Sequence, residues 1–366
     1  MGVAARLRKV GKLLIAALIL LAVLLALPVF FIEVTCRGEA EPAASVATSA
    51  RIAPAHQRPE VNSYLSYPEW YIVHAYEDFA GVLAAHDEYA FGYLASIGGY
   101  WSCFCSLNRL VSGRGATPLD TKVMLYTIGV SFTGELAVKG LYESTIGYLT
   151  AAMRGKERTA EDRFALAVAE DYARFLRQTP WYAYPFGATL VRFWQETPIS
   201  GRHMLRKIER HTALSAEFAA KGLYAQLLGL LAGLSPAELR IQSVVRGADM
   251  ARMTADPQIK LLGKIDDQNA VIETPRYRAF TEILIALSKR GGDVVEIAGN
   301  DDILVTIRAP MEHRITHKGV RELFSIPIQS RAGWRRVGLD IKVTELSPLI
   351  RELSGSPAEF EHVYDY

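Results

Sequence analysis

Residues 135–149 read ELAVKGLYESTIGYL and residues 217–231 read EFAAKGLYAQLLGLL, so both fit the pattern E-x-A-x-K-G-L-Y-x-x-x-x-G-x-L. Two further markers recur in the same order. EDFAGVL at 77–83 answers EDYARFL at 170–176, and FGYLASIGGYW at 91–101 answers FGATLVRFW at 186–194. A unit of roughly 80 to 90 residues present twice is too long for a solenoid repeat. It predicts a helical domain made of two related units, about 64–153 and 160–245 within 61–250, each ending in a long helix that carries Lys-Gly-Leu-Tyr.

A chain of 366 residues has room for two or three domains. Half of it is apolar and 22% is charged, the balance of a globular protein. A net charge of +2 gives no reason to expect nucleic acid as a partner. Residues 13–32 are uncharged and long enough to span a bilayer core. Arg6, Arg8, Lys9 and Lys12 precede them, and Glu33, Glu39 and Glu41 follow. The positive-inside rule then keeps the N-terminus (1–12) cytoplasmic and sends the rest across. The stretch is longer than a signal-peptide apolar region, and Pro28-Val-Phe-Phe-Ile-Glu is not a small-x-small cleavage site, so an uncleaved anchor is expected. The expected location is the inner membrane of a bacterial-type cell, with the bulk of the chain periplasmic. Residues 33–60, rich in Ala, Ser, Pro and Glu, read as a flexible linker.

In the first unit helices are expected over 68–85, 89–110 and 121–153. In the second they are expected over 160–178, 185–196 and 200–234, followed by a short helix over 236–245 capped at Ser235. Residues 89–107 carry no charge, and 123–150 form the core of a long helix. Glu135, Lys139 and Glu143 in the long helix would be costly at a bilayer centre. The repeat partner of 89–107 contains Arg192 and Glu196, and Gly-Gly, Ser and Tyr leave 89–107 only weakly hydrophobic, so it reads as a buried or membrane-facing helix rather than a span. From 268 to 366 the texture turns β-rich. A strand at 271–274, a helix over 275–290, a hairpin 293–298/303–308, strands at 323–329 and 335–343, a short helix from Ser347-Pro348 and a strand at 361–364 give the order of a split βαβ, ferredoxin-like domain. The predicted fold class is α+β multidomain: an N-terminal transmembrane helix, a duplicated all-α domain and a C-terminal ferredoxin-like domain.

No phosphate loop, zinc-protease motif, nucleophile elbow or EF-hand occurs. The sharpest polar feature is the repeat itself. Glu135 and Lys139, like Glu217 and Lys221, stand four apart on one helix face, with Tyr142 and Tyr224 beside them. Gly140, Gly147, Gly222 and Gly229 read as helix-packing positions. The bland reading is an exposed ion pair beside a packing glycine. The functional one is a polar pocket where the two copies meet at a pseudo-two-fold axis. Residues kept in both copies favour packing.

The pairs Glu77-Asp78, Glu161-Asp162 and Glu170-Asp171 lack the Glu-x-x-His spacing of bundle metal sites, and His74, His203 and His211 read as satisfied polar residues. No metal and no cofactor are expected. Three cysteines make no disulfide framework, and Cys103 and Cys105 read as small buried hydrophobes. Trp70, Tyr100, Trp101, Trp181 and Trp194 read as core, as membrane contact or as the wall of an apolar pocket. The expected function is a non-catalytic, membrane-anchored accessory, scaffold or assembly protein. The alternative is a binder or enzyme acting on a lipid or other apolar small molecule in an aromatic-lined helical pocket. The expected partners are the membrane, a protein or a second copy of the chain, and a lipid.

Overall fold

A computed structural model describes residues 12, 15, 22–39, 51–114, 117–229, 239–247 and 256–365. The fold is α+β, with helices followed by two four-stranded antiparallel sheets. Helix α1 covers 22–35. Then come α2 (Val61–Ala85), α3 (Tyr93–Arg114), α4 (Leu119–Tyr142), α5 (Tyr148–Arg154), α6 (Ala160–Leu176), α7 (Phe186–Glu196) and α8 (Met204–Gly229). A π-helical turn, Glu143–Gly147, joins α4 to α5 without a break. Both copies of the duplication therefore run helix, short 3-10 turn (Glu88–Ala90 or Trp181–Ala183), helix, long helix. Equivalent rings meet in each: Phe79 on Phe91 at 5.3 Å and Tyr172 on Phe186 at 5.5 Å.

The chain divides into two compact units, Met1–Ala44 with Tyr93–Gly140, and Ser45–Gly92 with Leu141–Tyr366. In the first, α3 and α4 form an antiparallel pair around Tyr100, Trp101, Phe104, Leu125, Phe132 and Leu136. The Tyr100 hydroxyl donates to Leu125 O at 3.1 Å, and the Trp101 indole donates to Thr133 Oγ1 at 2.9 Å. The C-terminal end of α1 is tied to this pair. Cys36 is disulfide-bonded to Cys105, Asn108 donates to Cys36 O at 2.9 Å, and Glu33 accepts from Lys122 and Tyr126 at 2.7 and 2.6 Å.

The second unit holds the remaining helices and both sheets. Strands β1 (Arg240–Arg246), β2 (Lys260–Lys264), β3 (Asn269–Pro275) and β4 (Asp293–Ile297) line up as β2-β3-β1-β4, with α9 (Tyr277–Lys289) between β3 and β4. Strands β5 (Asp302–Pro310), β6 (Val320–Pro327), β7 (Trp334–Lys342) and β8 (Glu359–Val363) repeat the order as β6-β7-β5-β8, with α10 (Val343–Leu353) between β7 and β8. Even the irregularities recur. The β1–β4 register shifts between Val244 and Val245, and the β5–β8 register shifts between Thr306 and Ile307. The β2–β3 register shifts between Leu261 and Gly263, and the β6–β7 register shifts between Glu322 and Phe324. This is a second duplication, of a βββαβ unit, whose halves share one core through Ile241, Val245, Phe280, Leu284, Ile307, Leu339 and Leu349.

The single ferredoxin-like domain over 268–366 is thus replaced by two sheets that each carry one helix. Its expected hairpin 293–298/303–308 is not one. β4 and β5 belong to different sheets, and the left-handed turn at Ala298 and Gly299 hands the chain from one to the other. The expected helix over 236–245 is strand β1 from Arg240 on. Its central residues are buried on both faces, and a short buried run has no periodicity to separate strand from helix. Ser235, its expected cap, lies outside the described residues.

The linker over 33–60 is bound at both described ends: residues 33–39 as above, and Arg58 through its amide to Ala298 O and its guanidinium to Arg240 O. Residues 40–50 lie outside the description. Among the described residues no helix is long and apolar enough to cross a membrane, and of the expected anchor 13–32 only residue 15 and residues 22–32 are described. Cys105 is a disulfide partner rather than a small hydrophobe, and Cys103 is a buried cysteine outside the disulfide.

Candidate functional site

The two Lys-Gly-Leu-Tyr helices bury the same face. Leu136 and Phe218 are buried at equivalent positions, Glu135, Lys139, Glu217 and Lys221 are half-buried, and Leu141 and Leu223 are 69% and 72% exposed. Glu217 pairs with Lys221 at 3.2 Å. The Lys221 ammonium meets the Tyr76 hydroxyl at 3.2 Å and lies 4.9 and 5.3 Å from the rings of Tyr76 and Tyr172. The glycines differ in what they allow. A Cβ on Gly140 would stand 2.7 Å from Tyr93 Cβ, whereas one on Gly222 would reach Phe186 Cβ at an ordinary 3.5 Å. A Cβ on Gly147 would fall 2.1 Å from the Glu143 carboxylate, so this glycine makes room for a charge. Gly229 is the last residue of α8.

Trp70, Tyr100 and Trp101 are buried in the protein. The Trp181 and Tyr224 rings meet at 5.1 Å, and Trp194 is exposed with its indole donating to Ser215. Tyr142 donates to Glu209 Oε1 at 2.7 Å.

That contact is the edge of a buried ionic network in the second unit. Arg206 reaches Asp162, Glu88 and Glu209 at 2.8, 3.0 and 3.0 Å. Arg210 reaches Glu88 and Glu143 at 3.1 and 3.0 Å and contacts Glu209 directly. Arg154 reaches Asp87 at 2.8 Å and also binds Asp162. Arg206 and Arg210 are among the largest fully buried side chains of the described residues. Asp162 also completes the capping box of α6 with Thr159, which fixes where its carboxylate points. The π turn begins at Glu143, whose carboxylate accepts from Arg210 at 3.0 Å. Arginine forks suit such buried pairs because their donors match carboxylates two at a time.

A second polar centre lies between α2 and the β5–β8 edge. His74 Nδ1 is 3.0 Å from Glu77 Oε2, and its Nε2 is 3.1 Å from the Tyr364 hydroxyl and 4.0 Å from Glu361. Arg336 grips Glu361 at 2.6 and 3.0 Å, Arg177 holds Glu77 at 2.6 Å, and Tyr364 meets Thr306 at 2.9 Å. Burial raises the Glu77 and Glu361 carboxyls. Hydrogen bonds and charge from His74 and Arg177 at Glu77, and from Arg336 and His74 at Glu361, outweigh it. Glu77 is held well below the usual carboxylate range and Glu361 falls to about 2. Burial holds the imidazole of His362 neutral, stacked 3.7 Å from Trp70.

His74, Glu77 and Glu361 each offer a ligand atom within 4.8 Å of the others, the donor set of a divalent-cation site. The fit fails on charge. Both carboxylates already hold a guanidinium, so a divalent ion would add two positive charges beside Arg177 and Arg336 with no carboxylate left to match them. The centre joins α2 to the sheet. The His-x-x-Glu spacing that places His74 beside Glu77 is present in the sequence, in the reverse order of the Glu-x-x-His sought for bundle metals.

No protein family model matches the chain, and neither a curated protein nor a solved structure is significantly similar to it.

Proposed function

We propose that the chain is a membrane-held, non-catalytic accessory or scaffold protein. In this reading α1 continues the anchor over 13–32 and the folded body stands on the outer, oxidising side. The observation that carries it is α1. Every residue from 22 to 32 is apolar, so that stretch of the helix has no polar face, and Val23, Leu24, Leu27, Phe30, Phe31 and Val34 are exposed. A helix apolar all round needs an apolar surrounding. The Cys36–Cys105 disulfide directly after it supports the outer location, because disulfides persist in oxidising compartments. Both buried polar centres are paired internally, which suits structural use better than turnover. Strand β2 supplies an open sheet edge with Leu261 and Leu262 exposed, a surface for a partner strand.

Reporter fusions at Ala43 and at the C-terminus should both report the outer compartment, and the chain should stay in the pellet on alkaline extraction. Purification from native membranes in mild detergent should return a stoichiometric protein partner. A chain released by alkali, or Cys36 alkylated in intact cells without reductant, would overturn the reading.

A further inference from the structure

The long helices are built inside out. Along α8 the exposed residues are Met204, Leu205, Ile208, Thr212, Ala216, Ala219, Ala220, Leu223, Tyr224, Gln226 and Leu227, and none is charged. Its charged residues Arg206, Lys207, Glu209, Arg210, Glu217 and Lys221 all lie on the buried or half-buried side. The continuous helix from α4 through α5 behaves alike. Beyond Asp120 its exposed residues include Val123, Met124, Val138, Leu141, Ile146, Tyr148, Leu149 and Met153 but no charged side chain, while Glu143 and Arg154 are buried. Charge returns where the helices end, at exposed Lys156 and Glu157 after α5 and exposed Arg202 before α8. In water this arrangement costs twice: apolar area stays wet and five carboxylates and three arginines lose their hydration. In hydrocarbon both costs reverse sign, because ionisable residues there turn inward and pair with one another.

We propose that the outward faces of α8 and of the α4–α5 helix are each lipid-contact surfaces, lying in the hydrocarbon of the membrane that holds the chain. It rests on the membrane-held reading above and names the surface through which the body itself meets the bilayer. The uncharged face runs the length of α8, a 26-residue helix about 39 Å long at 1.5 Å per residue, so it is a continuous strip rather than an isolated patch. The duplication repeats the face. Ala137 and Ala219, Val138 and Ala220, Leu141 and Leu223, and Thr145 and Leu227 are exposed at equivalent positions. An average over the whole helix hides this, since the inward charges cancel the outward apolar residues in any hydropathy window.

The test uses the full chain carrying Cys103→Ser, in native-lipid vesicles, with single nitroxide labels at Leu149, Leu223, Leu27 and Ala167. Oxygen, which concentrates in lipid, is compared as relaxant with a water-soluble nickel chelate. The oxygen-to-chelate ratio at Leu149 and Leu223 should exceed that at Ala167, on the charged face of α6, several-fold and should match that at Leu27. A water-like ratio at Leu149 and Leu223 with a lipid-like one at Leu27 overturns this proposal and leaves the anchor standing. Water-like ratios at all three overturn the anchor as well. Labels at Leu149 and Leu223 shielded from both relaxants would mean that a protein chain covers the face, which also overturns the proposal. Melting curves of each labelled variant beside the parent establish that the fold is intact.

Discussion

Helices α6 and α8 belong to one unit and follow opposite rules. In α6, Phe164, Val168 and Tyr172 are buried while Arg163, Glu170, Asp171 and Arg174 face out. In α8, Arg206, Glu209 and Arg210 are buried while Leu205, Ile208 and Leu223 face out. Both are amphipathic, and a periodic pattern defines the axis of that asymmetry, not which side meets solvent. What decides the direction is pairing. Five carboxylates arranged around three arginines can be buried together, and no single one of them could be buried alone.

The sharpest way to break this comparison is to remove one inward charge. Arg206→Ala leaves Glu88, Asp162 and Glu209 short of a cation and should cost about 3–5 kcal/mol. Arg174→Ala, on the exposed face of α6, should stay within about 0.5 kcal/mol. Equal costs in chemical unfolding of the detergent-solubilised chain would refute the inversion. Next in size is a pair on α8 itself. Leu214→Ala, in the buried cluster with Phe193 and Phe218, should cost about 2–5 kcal/mol, and Leu223→Ala less than about 0.5 kcal/mol.

The junction between α2 and the sheet adds a pH dependence. The Glu77 and Glu361 carboxyls have folded values below their unfolded ones. Their stabilisation is therefore present above about pH 4.5 and is lost progressively as pH falls from there towards about 2, with about 3 kcal/mol coming from Glu361 alone. Burial raises the Asp78 carboxyl and so works in the opposite direction, which limits the loss. Melting temperature followed down through that window should fall for the parent and stay flatter for Glu361→Gln, measured from that variant's own lower starting point. The smallest effects separate two glycines with the same sequence reading. Gly147→Ala should cost about 1–3 kcal/mol by displacing Glu143 from Arg210, while Gly222→Ala should be neutral or gain up to about 1 kcal/mol from helix propensity.

The helical plan was legible because repeated markers and long periodic runs agree with one another, down to the equivalent rings of Phe79–Phe91 and Tyr172–Phe186. The second duplication was not legible. Its two halves share hydrogen-bond register and bulge positions, while residues such as Val244 and Thr306 at equivalent bulges have no identity in common. The ionic network was not legible. Arg206, Glu88 and Asp162 come from three separate elements that only the fold brings together, whereas the Glu217–Lys221 pair, which lies outside the network, stands at a helical spacing the sequence displays directly. The disulfide joins cysteines 69 residues apart, a pairing that spacing cannot suggest.

The inverted half can be tested without any substitution. Met124, Met153, Met204 and Met311 are between 46% and 63% exposed, the first three on the long helices and the last in the sheet half. Water-borne peroxide applied to the full chain in native membranes converts accessible methionines to sulfoxide. The account predicts that Met311 oxidises at the rate of a free side chain while Met124, Met153 and Met204 are spared until the membrane is dissolved and the detergent removed. Oxidation of all four at one rate in intact membranes would contradict it.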